Sequence, residues 1–497
     1  MKTSSRITLF IHSYGDKGAL CRTLDSILDQ GCFACPCVLL LHSPVGYLEI
    51  AEMFRELRIE AVEIWAGNVV WPDALPKTDY IGVLCAGDQL EVGAVSAVHY
   101  AIANHAESLC IYGDECKQQS TDSPCSFIFK PQYDPILQNA SGYIGRSAVF
   151  KVAGQHLEFR RDMHPDRQVQ ELVNKSGMQI THVPKVLLRS SNCGEHKKKR
   201  LCIPKPFENP TVSIIVPTRD KLTYMRRCIN SIFSITAYND YEIIVVDNNS
   251  REKDAIEYLH VLETKDWINV IRDRQTFNYS RMNNNAVEHA HGEILCFLNN
   301  DIEILEPSWL SSMVAWIEQK GVGAVGARLL YPDGTLQHAG VVLGINGYAG
   351  HPWKGTDPGS LAVDFRLQYP RTVSATTGAC LLMRKSDFLS VGGFDENLAV
   401  AFNDVDLCLR LQRKGLRIVW TPEATLIHHE SVSRGRRDTP EKRRRFTREK
   451  KYMRKRWGGR LKNDPYYNPN LTYNSEDGSP VDKPFQYPPK RWWQRWR

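Results

Sequence analysis

Beyond position 210 the chain alternates short apolar runs with segments of helical period. Val212-Ser-Ile-Ile-Val216 is a β-branched run, and Pro217-Thr-Arg-Asp220 breaks it. Apolar positions then recur at helical spacing through Met225, Ile229 and Ile232, and a second run, Glu242-Ile-Ile-Val-Val246, ends at Asp247. This pattern predicts strand, helix and strand. Repeated, it builds an α/β, Rossmann-like sheet of mostly parallel strands joined by right-handed crossovers. Ligands of such sheets bind beyond the carboxyl ends of the strands, where Thr218 and Asp247 fall. Further on, Leu295-Cys-Phe-Leu298 runs directly into Asn299-Asn300-Asp301. A helix begins near Asn403-Asp404, with Leu407, Cys408, Leu409 and Leu411 supplying its buried side. Two short strand segments follow, Ile418–Pro422 and Ala424–His428.

The first 200 residues repeat this plan. Leu24-Asp-Ser-Ile27 matches Ile229-Asn-Ser-Ile232, Val38–Leu41 matches Ile243–Val246, and Leu84-Cys-Ala-Gly-Asp88 matches Phe297-Leu-Asn-Asn-Asp301. Asp166, Gly177 and Pro184 fall at the spacings of Asp404, Gly415 and Pro422. The expectation is two tandem domains, 1–195 and 211–435, joined by a basic linker over 196–210 and followed by a basic, aromatic, helical tail over 436–497.

Composition adds little until position is considered. The net charge of +7 is modest for 497 residues, but fourteen Lys/Arg against three Asp/Glu lie between Ser431 and Arg460, and the chain ends Arg491-Trp-Trp-Gln-Arg-Trp-Arg497. Cations beside tryptophans suit an anionic membrane surface; the alternative is a solvated helix covering the preceding domain. No apolar run reaches the ~18–20 residues that cross a bilayer, and the start has no signal-peptide core, so the expected location is the cytoplasm, with peripheral contact at the inner face of the cell membrane. Cys85, Cys110, Cys296, Cys380 and Cys408 sit in apolar segments and read as reduced, buried thiols. Cys32-x-x-Cys35-x-Cys37 lacks a fourth zinc ligand at suitable spacing.

Three places carry candidate chemistry. Asp301 at a strand end is a hard oxygen ligand for Mg²⁺ or Mn²⁺ bridging phosphates, although Asn and Asp also end strands as turn formers. Asp404, in the first turn of a helix, is held ionised by the helix dipole and can accept a proton from a sugar hydroxyl; N-capping by Asn403 or Asp404 is the structural alternative. His428 ends an apolar run, as a core histidine or, beside a carboxylate site, as a metal ligand. The glycine-rich stretch 334–359 places His338, His351 and Trp353 on the expected acceptor side, with apolar packing an equal account of Trp353.

The series Ile-Val-Pro-Thr-Arg219, Val-Val-Asp-Asn-Asn-Ser250, Arg281-x-x-x-Asn285, Leu-Asn-Asn-Asp301, Thr-Gly-Ala-Cys380, Asn-Asp404-x-Asp-Leu-x-x-Arg410 and His428 resembles family 2 glycosyltransferases of the GT-A fold. Within these it is similar to bacterial enzymes of cell-surface polysaccharide synthesis, rhamnosyltransferases among them, some with a second, N-terminal GT-A-like copy. The resemblance implies nucleotide-sugar contacts at Pro217, Thr218, Arg219, Asp247, Asn249, Arg281, Asn300 and Arg434. It also implies a Mn²⁺ or Mg²⁺ ion on Asp301 and His428, and Asp404 as general base of an inverting transfer. The implied partners are a nucleotide-diphosphate sugar donor and a saccharide or lipid-linked acceptor. Asn299 and Asn300 depart from the family's usual run of acids, and Asn403 stands where Glu commonly precedes the base. In the first copy the four key positions become His42, Asp88, Asp166 and Ser190, so weakened donor binding is expected there. A bifunctional enzyme with both copies active is the alternative.

Nucleic acid is not expected as a partner, since no binding motif accompanies the charge run and the crevice carboxylates repel phosphate unless a cation intervenes. A nucleotidyltransferase-like protein would be expected to carry a glycine-rich phosphate loop after the first strand, and Pro217-Thr-Arg-Asp220 has no glycine. A non-catalytic carbohydrate-binding protein would not need Asp301, Asp404 and His428 together.

Overall fold

The computed structural model describes residues 5–31, 35, 37–41, 61–64, 68–70, 78–117, 125–152, 158–160, 163–191, 204, 209–359, 364–429 and 439–487. The chain divides into two compact units. The first is Met1–Arg200 with Tyr467–Leu471 and Pro480–Arg497; the second is Leu201–Tyr466 with Thr472–Ser479.

The first unit is built on a nine-stranded sheet: β1 (Ile7–Ser13), β2 (Cys37–Leu41), β3 (Ala61–Ile64), β4 (Tyr80–Cys85), β5 (Gln89–Leu90), β6 (Cys110–Lys117), β7 (Ser126–Ile128), β8 (Ala148–Lys151) and β9 (Ile180–Ser190). The strand order is β3-β2-β1-β4-β8-β6-β9-β5, with β7 beside β6. The second unit has a ten-stranded sheet: β10 (Val212–Thr218), β11 (Tyr241–Asp247), β12 (Ile268–Arg272), β13 (Ile294–Leu298), β14 (Ile302–Ile304), β15 (Val322–Leu330), β16 (Leu336–His338), β17 (Arg371–Val373), β18 (Cys380–Arg384) and β19 (Arg417–His428). Its order, β12-β11-β10-β13-β18-β15-β19-β14, with β16 beside β15, is the same path strand for strand; β17, beside β19, has no counterpart.

Direction follows the same rule in both sheets. The first four strands of each path are parallel, β8 and β18 are antiparallel to both neighbours, the next pair is parallel, and the short β5 and β14 close the path antiparallel. The sheets are therefore mixed. The apolar run Cys380–Arg384 announces a buried strand but not its direction, which the preceding connection sets.

Local chemistry explains most boundaries. β10 continues through Pro217 and Thr218 instead of ending at Val216, because Pro217 and Thr218 stay in register with Val246 and Asp247. The helix Leu222–Ile235 buries Met225, Cys228, Ile229 and Ile232, the face its period announces. Ile418–His428 reads as two segments in sequence yet forms one strand, with a register shift between Thr421 and Thr425 around Pro422. β9 has the equivalent shift between Val183 and Val186 around Pro184. A proline cannot donate to the ladder, so a bulge is where the sheet tolerates it.

The segment expected as one tail is shared between the units. The helix Pro440–Trp457 belongs to the second and buries Glu449, Met453 and Trp457, leaving Arg443, Arg444, Arg448, Lys451, Arg454 and Lys455 exposed. Trp457 donates to Asp406 Oδ1 at 2.8 Å, and Glu449 accepts from the Val400 and Ala401 N–H groups, both at 3.2 Å. Tyr467–Leu471 belongs to the first unit, where Asn468 Nδ2 donates to both oxygens of buried Asp114 at 2.9 and 3.0 Å. Residues 488–497, with the terminal tryptophans, lie outside the described residues. Cys110, Cys296, Cys380 and Cys408 are free and buried, as expected. Cys85 is disulfide-bonded instead, and Cys116 pairs with Cys125. Cys35 and Cys37 are buried, which pushes the pKa of each thiol up to about 12, and Cys32 lies outside the described residues.

Candidate active site

The carboxyl edge of the second sheet gathers most of the residues singled out by sequence. Asp301 immediately precedes β14, whose first residue, Ile302, pairs with His428 at the end of β19. That antiparallel register brings His428 Nε2 to 3.0 Å from Asp301 Oδ1. Both groups are buried, 7% and 5% exposed. The other imidazole nitrogen, Nδ1, lies 2.6 Å from the side-chain carbonyl of Gln337 on β16, while Gln337 Nε2 donates to the His428 carbonyl at 3.2 Å. With its amide N–H₂ committed to that carbonyl, Gln337 presents Oε1 to Nδ1, so Nδ1 carries the hydrogen and Nε2 turns its lone pair toward the carboxylate.

Two acceptors facing each other at 3.0 Å need a cation or a proton between them. A carboxylate and an imidazole are ligands that Mg²⁺ and Mn²⁺ accept, with the remaining positions left to water and phosphate oxygens. The pair therefore fits a divalent ion held by two protein ligands. Among the described residues there is no cluster of three or more His, Cys, Asp or Glu that would make a closed cage.

Asp404 lies in the first turn of the helix Asn403–Arg413. Its Oδ2 accepts from the Gly378 N–H at 2.9 Å. The next residue, Ala379, accepts from the Asn299 N–H at 3.0 Å, so Gly378-Ala379, leading into β18, links Asp404 to the loop that carries Asp301. Asp404 Oδ1 accepts from the Val405 N–H at 2.8 Å, and Asn403 Oδ1 accepts from the Asp404 N–H at 2.7 Å, so both side chains also satisfy first-turn amides of this helix. The nearby Asp406 serves the fold: it is fully buried and bound by Arg410 at 2.7 Å and by Trp457.

At the carboxyl ends of β10 and β11, Thr218 and Asp247 end adjacent strands in register. Asn300 Nδ2 donates to Thr218 Oγ1 at 2.9 Å, tying the Asp301 loop to this edge. Asp247 is engaged by Arg272 at 3.2 Å and by the Ser250 N–H at 3.1 Å. Asn249 adopts a left-handed conformation at φ 56° and donates to the Arg274 carbonyl at 2.9 Å. Pro217 is half-buried within β10, and exposed Arg219 lies 3.8 Å from Asp220. Arg281 is turned away from an open role by its ion pair with Asp273 at 2.8 Å and its bonds to the Thr276 carbonyl at 3.0 Å. Arg434 lies outside the described residues.

His338 and Trp353 do not line an open acceptor face. His338 is 1% exposed, between His351 Nδ1 at 2.8 Å and Thr376 Oγ1 at 2.9 Å; Trp353 is 2% exposed, with the guanidinium groups of Arg366 and Arg371 over its ring. Burial, reinforced by His351, holds the His338 pKa well below its ordinary value. Sequence reasoning missed Gln337, which stands in no motif, and the His429–Glu303 pair at 2.7 Å, although the doublet His428-His429 marked the place.

Family models for glycosyl transferase family 2 and for glycosyl transferase family group 2 match residues 213–388 and 360–463. The second unit belongs to glycosyltransferase family 2. It is 39% identical over 445 residues to the uncharacterized protein y4gI of Sinorhizobium fredii, covering 80% of this chain and 49% of that one. It is 32% identical over 445 residues to the O-antigen biosynthesis protein RfbC of Myxococcus xanthus, covering 81% and 34%. The chain thus spans about half and a third of these relatives' lengths. Among solved structures, it is similar to mannosyltransferase PcManGT from Pyrobaculum calidifontis, in complex with GDP-Man and Mn²⁺, at TM-score 0.39 and 17% identity over 55% of this chain and 71% of that one. The family 2 match falls on the second unit and contains Asp301, while the group 2 match contains Asp404 and His428.

Proposed function

We propose that the second unit is an inverting, divalent-metal-dependent glycosyltransferase. It would move a sugar from a nucleotide-diphosphate donor to a saccharide or lipid-linked saccharide in cell-surface polysaccharide synthesis of the O-antigen or capsule kind. The observation that carries this reading is the Asp301–His428 pair linked to Asp404 through Asn299, Ala379 and Gly378.

In this reading Asp301 and His428 hold Mn²⁺ or Mg²⁺, which when bound neutralises the diphosphate leaving group. Thr218, Asp247, Asn249 and Asn300 line the nucleotide edge, with Pro217, Arg219 and Arg434 as its further contacts. Asp404 accepts the proton of the acceptor hydroxyl as that oxygen attacks the anomeric carbon. Attack from the face opposite the diphosphate inverts the configuration. The exposed cations of helix Pro440–Trp457 support peripheral contact with an anionic membrane carrying the acceptor. Among the described residues no helix is long and apolar enough to cross a membrane.

The test is Asp404→Asn, assayed by nucleoside diphosphate release with a donor screen in Mn²⁺ or Mg²⁺. Turnover is expected to fall about 10²–10⁴-fold with nucleotide affinity retained. Near-normal turnover removes Asp404 from the role.

A further inference from the structure

The first unit keeps the acids of the second site and adds a residue that changes their chemistry. Asp88 precedes β5 as Asp301 precedes β14, and Asp166 stands in the first turn of helix Pro165–Ser176 as Asp404 does in its own helix. Arg146 bridges them. Its Nε and NH2 donate to the two oxygens of Asp88 at 2.7 and 2.9 Å, its NH1 donates to Asp166, and NH2 also donates to the Ser191 carbonyl at 2.8 Å. Asp88, 0% exposed, accepts in addition from the Cys85 N–H at 2.9 Å, the Ser191 N–H at 2.7 Å and Ser191 Oγ at 2.9 Å.

The position that Arg146 occupies can be read in the second sheet. Tyr80 pairs with Lys151 as Ile294 pairs with Arg384, the stretch from there to the acid being one residue longer in the first unit. Arg146 precedes Lys151 by the same five positions that separate Ala379 from Arg384, and a glycine, Gly145 or Gly378, comes before each. Where the second unit has a methyl group next to the residue bound by its base, the first has a guanidinium, itself only 6% exposed.

We infer that Arg146 is a built-in cation standing where the second site would hold its metal, so that the first unit is a pseudo-active site that binds neither divalent ion nor donor diphosphate. This rests on the metal-site reading of Asp301 and His428. A guanidinium has five N–H donors in a planar fork and stays protonated in proteins. Four of the five are spent on Asp88, Asp166 and Ser191, which leaves no fork to clamp a phosphate. Asp88 in turn has its oxygens filled by five donors, so a metal would have to displace an ion pair already desolvated. The acids are kept because the arginine needs them.

Mn²⁺ counting by electron paramagnetic resonance on the full chain tests this. Wild type is expected to bind one Mn²⁺, Asp301→Asn none, and Asp301→Asn with Arg146→Ala one again, lost on adding Asp88→Asn. A melting curve establishes that each variant is folded, and Mn²⁺ should raise the melting midpoint of the Arg146→Ala pair but not of Asp301→Asn alone. A Mn²⁺ that survives Asp301→Asn and disappears with Asp88→Asn overturns the inference, as does a folded Arg146→Ala pair that binds none. If Arg146→Ala does not fold, the Asp301→Asn against Asp88→Asn comparison still decides. Wild type binding no Mn²⁺ at all contradicts the reading of the second site, whereas the Arg146 comparison reports on the first unit alone.

Discussion

Replacing Gln337 by leucine should weaken the metal site without touching either ligand. Gln337 is 6% exposed and makes two hydrogen bonds to one residue, Oε1 to His428 Nδ1 at 2.6 Å and Nε2 to the His428 carbonyl at 3.2 Å. Together they fix both the ring orientation and the tautomer that aims Nε2 at Asp301. Neutral bonds of this kind contribute about 0.5–1.5 kcal/mol each, so losing both costs about 1–3 kcal/mol. If that energy is what holds the ligand in place, Mn²⁺ affinity falls about five- to 150-fold, in line with the roughly 10–100-fold typical of lost ligand-orienting partners. Gln337→Glu keeps an acceptor at Nδ1 and adds charge, so it should bind Mn²⁺ at least as well as leucine and separate the hydrogen bond from mere volume. The assay is Mn²⁺ titration by calorimetry in the presence of nucleoside diphosphate, with melting curves as a folding control. A folded Gln337→Leu variant whose Mn²⁺ affinity stays within about twofold of wild type, far short of the loss expected for an orienting partner, refutes the idea that Gln337 sets the histidine.

Stability of the second unit should fall as pH drops below neutrality. His338 has a folded pKa held well below its unfolded value by burial, so the unfolded chain takes up a proton near pH 6.5 that the folded chain refuses. The stabilisation is complete above that pH and is lost as pH falls toward the folded pKa, at up to about 1.4 kcal/mol per pH unit, and denaturant titrations from about pH 7.5 to 5 should lose that slope in His338→Gln. Asp406→Ala should destabilise the fold by roughly 3–5 kcal/mol, because it leaves the Arg410 guanidinium and the Trp457 N–H without their shared acceptor; urea titration measures it, and a change below about 1 kcal/mol removes the structural role. Reversing the charge of Arg444, Arg448 and Lys451 to Glu should reduce sedimentation with anionic liposomes while leaving Mn²⁺ binding intact.

What could be read in the sequence was what local chemistry dictates. Strand-end acids, the helix start at Asn403 and the periodic face of Leu222–Ile235 all follow from residues close together in the chain. The pairing of Pro184 with Pro422 marked a common feature, a bulge in each long strand, although its nature was visible only in the ladder. Strand direction was not legible, because the apolar run Cys380–Arg384 looks the same whichever way it runs. Arg281 looked available because a sequence does not show that Asp273 will take its charge. Trp353 and His338 looked like surface chemistry because glycine-rich sequence suggests a loop, whereas the chain folds those side chains into the core. Gln337 was invisible because its role exists only through a partner ninety-one positions away.

The same limit explains why retained acids are poor evidence of retained catalysis in a duplicated fold. By register the first copy keeps Asp88 and Asp166, two of the four polar positions, which on sequence alone leaves a second active site open. Yet a buried carboxylate has to be compensated whatever its function, and Arg146 does that from a position where the other copy has only alanine. Once a guanidinium is in place, losing either acid strands its charge, so selection for folding alone would preserve all three. In the second unit the matching acid, Asp301, faces His428 instead of a guanidinium from that position, and the proposed metal-binding role would give the pair its reason to persist. The informative difference between the copies is therefore the side chain at position 146 or 379, which decides whether the same acids serve the fold or the chemistry.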